Sequence, residues 1–438
     1  MLKAIENLAK KFLKDTENKD VIVINHHDTD GITSSAIIIK ALQRKNRTFS
    51  VKTVKNLEPD FIDELPEDKL LLFLDLASAS LDYLENKKTS VYILDHHEIN
   101  QKIPSNVQII NPHLFNEEPL CSAGLSYLFA KSLSHENKDL AYLAVIGMVG
   151  DMLDQEIGKL NNSILNDAEV SIKKGPLLYP ATRPLDRVLE FSSGFYIPGV
   201  TGSRKGVISL LREAGIERIG NNYKNLIELK ENEMSRLITA IMLRLMKKNA
   251  NIIGNICLIK FFNKLEDARE LSATINACSR MDKSDIAISF CLGNKNSIKE
   301  VEEIYTNYKQ HLVSALDFIA NMKKIEGKEY VIINAKDKIK DTIIGTVGSI
   351  LSNSQLYDEG TVIVTMAYAE DKIKVSARIA GRNGRNLHEL MASVVNEVGG
   401  EAGGHHLAAG CLINKDKEKE FLEILQQKLE VSTIKVSA

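Results

Sequence analysis

The stretch His26-His27-Asp28-Thr29-Asp30-Gly31 gathers two imidazoles and two carboxylates. It directly follows the apolar run Val21-Ile22-Val23-Ile24 and directly precedes residues 32–42, whose spacing predicts a helix. Side chains alternate faces along an extended chain, so His26, Asp28 and Asp30 are expected on one side at a strand's C-terminal end, with His27 opposite. Carboxylates held that close repel one another and lose hydration, a cost that a bound cation removes. The same residue types also suit a plain turn. Repetition decides between the two. Residues 70–74 form an apolar run ending in Asp75, residues 91–94 one ending in Asp95-His96-His97, and the apolar segment 140–150 ends in Asp151. Four apolar segments thus deliver an acid or an imidazole at their C-terminal ends, the edge where open parallel α/β sheets bind ligands. Carboxylate oxygens with imidazole, and no Cys among the expected donors, suit manganese or magnesium. A cation held there would activate water for hydrolysis.

The elements that must position these residues alternate short apolar runs with helical stretches up to about residue 155, the pattern of βαβ units on a parallel sheet. Residues 51–54 and 107–110 are further strands, and Ser122-Ala123-Gly124 opens a helix over 125–132. That junction either offers backbone N–H groups to a phosphate, with Ser122 as a contact, or is a simple cap. Between 156 and 250 the strand signal fades, four prolines intervene, and helices are expected over 205–214 and 225–248. Strand-like runs return at 252–262 and 286–292, with Asn276 and Arg280 between them on one helical face. Residues 297–324 read as one long helix, followed by strands at 330–334, 361–366 and 372–377 around a helix over 343–352. The expected fold class is therefore α/β. A parallel-sheet catalytic core (1–155) leads to a helical insertion and a return to that lobe (156–296), a linker helix (297–326) and a smaller α/β domain with a mixed sheet (327–438).

Composition narrows the class. Hydrophobic content of 44% and charged content of 26% are those of a globular protein. A net charge of -2 means that any nucleic-acid surface must be a local patch. Lys372, Lys374, Arg378, Arg382, Arg385 and His388 form such a patch, with no acid between Lys372 and His388; a solvated basic face is the other reading. Downstream, Gly403-Gly404-His405-His406 sets an imidazole behind glycines that let a backbone approach a ligand. Five scattered cysteines with no Cys-x-x-Cys pair point to reduced thiols. Residues 1–14 are a charged amphipathic pattern rather than a secretory signal, and residues 140–150 are too short an apolar segment to span a bilayer. A cytoplasmic protein without membrane association is expected.

Together, His26 to Gly31, Asp75, Asp95-His96-His97 and Asp151 resemble the motifs of the DHH phosphoesterase superfamily, named for that triplet. Ala181-Thr182-Arg183-Pro184, Asn276-Ala277-Cys278-Ser279-Arg280, Ser376-Ala377-Arg378 and Gly403-Gly404-His405-His406 with Ala408-Ala409-Gly410 narrow the resemblance to archaeal RecJ-like nucleases of the GINS-associated type. The first motif departs from bacterial RecJ proteins, which usually have Asp where His26 stands. The resemblance implies two manganese ions, with magnesium as the alternative. His26, Asp28 and Asp75 would hold one; Asp30, the shared Asp75, His96 and Asp151 the other. Asp95 would support the ligands from behind, His97 would sit at the bridging water or a phosphate oxygen, and Arg280 would contact the scissile phosphate. Ser122, Asn276, Ser376, Arg378, Arg382, Gly403, Gly404 and His405 would bind substrate. The implied function is a single-strand-specific exonuclease on DNA or RNA, in replication or repair, with the GINS replication complex as a partner of some relatives. Its rivals are a short-oligonucleotide or cyclic-dinucleotide phosphodiesterase and a replisome scaffold with weak activity.

Overall fold

The computed structural model describes residues 1–192, 197–245, 252–354, 356–381 and 383–431. The chain divides into two compact units, one comprising Met1–Ser192 and Pro198–Tyr305, the other running from Thr306 onward.

The first unit is built on a parallel sheet of β1 (Val21–His26), β2 (Phe49–Val54), β3 (Leu70–Leu74), β4 (Val91–Leu94) and β5 (Val107–Ile110), in the order β2-β1-β3-β4-β5. Strands β1, β3 and β4 are continuous apolar runs because both their faces are covered. One face packs on α1 (Leu2–Asp15) and α2 (Thr29–Arg44), the other on the short helices α3 (Pro59–Asp63) and α4 (Leu81–Leu84). Behind α2 lie α5 (Ser122–Leu133) and α6 (Ala141–Gly150), which carry the thicker of the two cores. Asp28 caps α2 by accepting from Gly31 N at 3.0 Å. The helix ends at Lys45, after which Asn46 turns left-handed with φ 50°.

Two expected strands are helices. The apolar segment 140–150 is expected to be strand-like, yet Ala141–Gly150 is helical and buried on every side but one. An all-round apolar stretch of that length, longer than most strands and half of it Ala, Gly and Met, is a core helix. Residues 286–291 of the second run lie in α12 (Ser284–Cys291), with Leu292 as its C-cap, and Ala287, Ile288, Phe290 and Cys291 pack inward. Conversely, the sequence pattern does not reveal β6 (Ser171–Pro176). It is an edge strand whose first four residues are exposed, so it carries no apolar signature. After α7 (Lys159–Asp167) and β6 come α8 (Leu185–Glu190), α9 (Arg204–Glu213), the two-residue strands β7 (Arg218–Ile219) and β8 (Asn222–Tyr223), and α10 (Glu231–Arg244). Then β9 (Ile253–Phe261) and β10 (Lys264–Asp267) complete an antiparallel sheet, β10-β9-β6, that leads into α11 (Ala268–Arg280).

Helix α13 (Ser297–Asn321) carries the chain into the second unit. Its mixed sheet runs β11-β12-β13-β14-β16-β15, with β12 (Tyr330–Asn334) parallel to β13 (Val362–Ala369) and the other pairs antiparallel. The remaining strands are β11 (Ile325–Gly327), β14 (Lys372–Ile379), β15 (Glu401–His405) and β16 (Ala408–Asn414). Helix α14 (Asp341–Asn353) covers one face, while α15 (Leu387–Val398) and α16 (Glu418–Glu430) close the core on the other. Within the basic run, Arg385 is committed elsewhere. It donates to the carbonyls of Lys428, Leu429 and Val431, each at 2.7 Å, tying off the C-terminus of α16.

Candidate metal centre

Because β1, β3 and β4 are parallel, their last residues open on one sheet edge. His26 ends β1, while Asp75 and Asp95 directly follow β3 and β4. The chain then turns sharply. Strand alternation was expected to carry His26, Asp28 and Asp30 to one side; instead the strand stops at His26, Asp28 caps α2 and Asp30 lies in its first turn. The three still converge, through a strand-to-helix turn. That turn requires Gly31, where a Cβ would lie 2.3 Å from the His26 carbonyl oxygen.

Asp75 lies at the centre. Its Oδ2 is 3.2 Å from His26 Nδ1, and its Oδ1 is 3.3 Å from His96 Nε2 and accepts from Ser122 Oγ at 3.1 Å. The residue is 2% exposed and held in the left-handed region at φ 63°, backbone strain of the kind found at functional sites. Three groups of donor atoms could each hold a cation, the atoms within each lying within 4.8 Å of one another: His26, Asp28 and Asp75; Asp75, His96 and His97; and Asp30, Cys121 and Asp151. His96 Nε2 links them, 3.3 Å from Asp151 Oδ2 and 3.9 Å from Asp30 Oδ2. Asp151 arrives from the C-terminus of α6, not from a strand.

The electrostatics are those of an acidic cluster short of positive charge. Burial pushes the Asp75 carboxyl well up, and the charges of Asp28 and Asp30 push it further. Asp151 is pushed up to about 10, by burial first and then by Asp30. Burial opposes the charge on His26, but Asp28 and Asp75 outweigh it and hold the imidazole well above its usual range. Against its own burial, Asp28 is held low by His26. Asp151 Oδ2 is shielded from solvent and has no hydrogen-bond partner among the described residues. A buried carboxylate oxygen with no hydrogen bond of its own, facing other acids and the His96 imidazole, fits a hard divalent cation.

The surrounding residues hold these donors in place. Asp95 is fully buried and accepts from Ser78 N at 2.9 Å, and its Oδ1 lies 2.7 Å from His97 Nδ1. Those bonds keep its carboxyl low although burial would raise it. The His97 ring is half exposed, its Nδ1 engaged by Asp95 and 4.0 Å from Asp75 Oδ1. One of the two readings of the Ser122 junction has its N–H groups meet a phosphate. Instead Ser122 N and Ala123 N, at the start of α5, donate to Asp30 Oδ2 and Oδ1 at 2.7 and 2.8 Å. The helix N-terminus binds an anion here, and that anion is the protein's own carboxylate. Asn276 on α11 accepts from Thr29 N at 3.2 Å, docking that helix beside the acid motif, with Arg280 one turn further along.

Ser376 and Arg378 belong to the second unit and share the β14 face on which α14 packs. Arg378 donates to Ser349 Oγ at 3.0 Å. Gly403, Gly404 and His405 form the exposed edge strand β15. Arg382 lies outside the described residues.

Sequence reasoning missed Cys121, a buried thiol between Asp30 and Asp151, because it belongs to no spaced Cys motif. It also missed Gly147. A Cβ there would lie 2.7 Å from Asp30 Oδ1 and 2.5 Å from the Ala123 Cβ. A glycine inside an apolar helix was the available signal.

The geometry makes a test of the two adjacent imidazoles. His26→Ala is expected to weaken Mn2+ binding by at least about tenfold, whereas His27→Ala should leave it near that of the unaltered protein. Calorimetric Mn2+ titration of both variants checks this, and a larger loss for His27→Ala would reverse the assignment.

Three family models match the chain: the DHH family N-terminal domain at residues 20–148, the DHH-CID domain at 178–254 and the DHHA1 domain at 317–431. An uncharacterized protein of Methanocaldococcus jannaschii is 29% identical over 443 residues, covering 96% of each chain. A putative SPbeta prophage-derived single-strand DNA-specific exonuclease of Bacillus subtilis is 26% identical over 209 residues, 44% of this chain and 35% of that one. Among solved structures, RecJ of Thermus thermophilus in complex with Mn2+ superposes with a TM-score of 0.61 at 16% identity; the match covers 98% of this chain and 54% of that one. CDC45 of Entamoeba histolytica superposes with a TM-score of 0.66 at 11% identity, covering 97% and 98%. Among the described residues no helix is long and apolar enough to cross a membrane.

Proposed function

The chain belongs to the DHH superfamily and has a RecJ-like fold, and from that premise we propose that it is a manganese-dependent exonuclease acting on single-stranded nucleic acid through a pair of divalent cations. The observation that carries this reading is Asp75, whose two carboxylate oxygens face different imidazoles, His26 and His96, as a ligand shared between two cations must. His26, Asp28 and Asp75 would hold one ion, and Asp30, Asp75, His96 and Asp151 the other. When bound, the pair supplies charge to the phosphodiester oxygens and lowers the pKa of water.

The chain's own residues do the rest. Asp95 orients His97 through Nδ1, so that Nε2 is presented toward a phosphate oxygen. The N-terminus of α5 fixes both oxygens of Asp30, which keeps that ligand from swinging toward its neighbours. Asn276 seats α11 so that Arg280 projects from the same face to meet the scissile phosphate. Retention of this whole donor set weighs against a scaffold with a dead site. The partner side of the reading, a replication complex of the GINS type, rests on the sequence resemblance.

Lys372, Lys374, Ser376 and Arg378 alternate onto one face of β14. Helix α14 covers Ser376 on that face, so the half-buried Lys372, Lys374 and Arg378, with Arg382 and the glycines before His405, would grip the nucleic-acid backbone along its margin. Neutralised phosphates release counterions, so binding should weaken with salt by a log–log slope of about -0.7 per contacted phosphate. Arg378→Ala combined with Arg382→Ala is expected to flatten that slope by roughly one to two units in fluorescence anisotropy titrations. An unchanged slope would remove this surface from the nucleic-acid track.

A further inference from the structure

A cavity of about 510 Å³ opens at the C-terminal ends of β1 and β2, beside the acid cluster. We infer that it receives a nucleobase, that of the nucleotide whose phosphate lies at the cluster; the inference rests on the proposed phosphodiester chemistry and adds a base-reading site to it. His27 forms the wall shared with the metal centre. Its ring meets that of His26 edge to face, with centroids 4.7 Å apart. The end of β1 thus gives His26 to the acids, and the turn that follows it gives His27 to the cavity.

The lining selects the ligand. Val51 and Ile288 give apolar walls, and with the imidazole plane they offer a planar heterocycle a stacking surface. At the rim Lys55 pairs with Asp282 at 3.1 Å, while Asp285 pairs with no cation among the described residues. Two carboxylates against one ammonium repel a second phosphate. They accept instead from the exocyclic amine of cytosine, adenine or guanine, as carboxylates do in base recognition. A volume in the range of small-molecule pockets admits one base with its sugar.

The test uses the full-length protein with Mn2+ and short single strands carrying either cytosine or an abasic residue at one terminus, each terminus in turn. The unaltered protein should cleave the cytosine-bearing end at least about tenfold more efficiently in kcat/KM at the terminus it attacks. Ser284→Trp, at the partly exposed first position of α12, sets an indole where the base would stack and should bring that ratio near one. Saturation-transfer NMR with deoxycytidine monophosphate provides the second readout. Its base protons should receive saturation from the unaltered protein and lose it with Ser284→Trp. Cleavage with no preference for the base, or a preference that survives Ser284→Trp, overturns the base-reading site and leaves the nuclease reading intact. Saturation transfer that is lost with Ser284→Trp, in a protein that cleaves no strand, supports the pocket while the nuclease reading falls. Absence of both cleavage and saturation transfer overturns both.

Discussion

Asp75→Asn is expected to lose at least about a thousandfold in turnover, the upper range for removing one preorganised charged group, while the protein stays folded. The fold should survive because Asn enters the left-handed region more readily than other non-glycine residues, so φ 63° is retained. The amide oxygen can still accept from Ser122 Oγ, and the Asp75 backbone N–H to Leu94 O at 3.0 Å is untouched. What disappears is the charge between two imidazoles. Burial beside Asp28 and Asp30 makes that charge costly without a cation. The metal-free variant should therefore melt at or above the temperature of the unaltered protein, and Mn2+ should raise its Tm less. Near-native turnover in Mn2+ would remove Asp75 from the shared position.

Gly147→Ala should damage the centre from behind, without touching any charged group. The new methyl would meet the Ala123 Cβ at 2.5 Å, Asp30 Oδ1 at 2.7 Å and Thr33 Oγ1 at 2.8 Å. Helix α6 or Asp30 must move, and both carry donors, since Asp151 N bonds to Gly147 O at 3.0 Å. Overpacking of this kind costs about 1–3 kcal/mol, and a misplaced donor lowers turnover by about a hundredfold. Thermal melts and steady-state rates of the variant check both effects. Unaltered values would mean that the α2–α6 contact has slack that the distances do not show.

Much of this architecture is legible in the sequence, and the gaps have physical causes. Strands β4, β5 and β12 match the expected runs residue for residue, because a doubly covered or core-facing strand is a bounded apolar run. The acids and imidazoles following β1, β3 and β4 were legible for the same reason. Asp151 was found with the wrong element behind it, since an apolar stretch buried on nearly all sides has no period to distinguish helix from strand. The edge strand β6 was invisible because its exposed residues carry no apolar pattern. Arg385 shows the limit of counting charges. It lies in an acid-free basic run, yet the structure directs its guanidinium to the end of α16. Cys121 and Gly147 matter only through packing across α2, α5 and α6, which spacing along the chain does not reveal.

The central claim is hydrolysis of single-stranded nucleic acid at a cation-loaded DHH site. Digestion of end-labelled single strands of DNA and RNA, labelled at either end, beside a blunt duplex and a dinucleotide, tests it directly. With Mn2+ present, long single strands should be shortened progressively to mononucleotides from one end, the duplex should persist, and a chelator should stop the reaction. Hydrolysis of the dinucleotide with long strands left intact would contradict the account and make the protein a short-substrate phosphodiesterase.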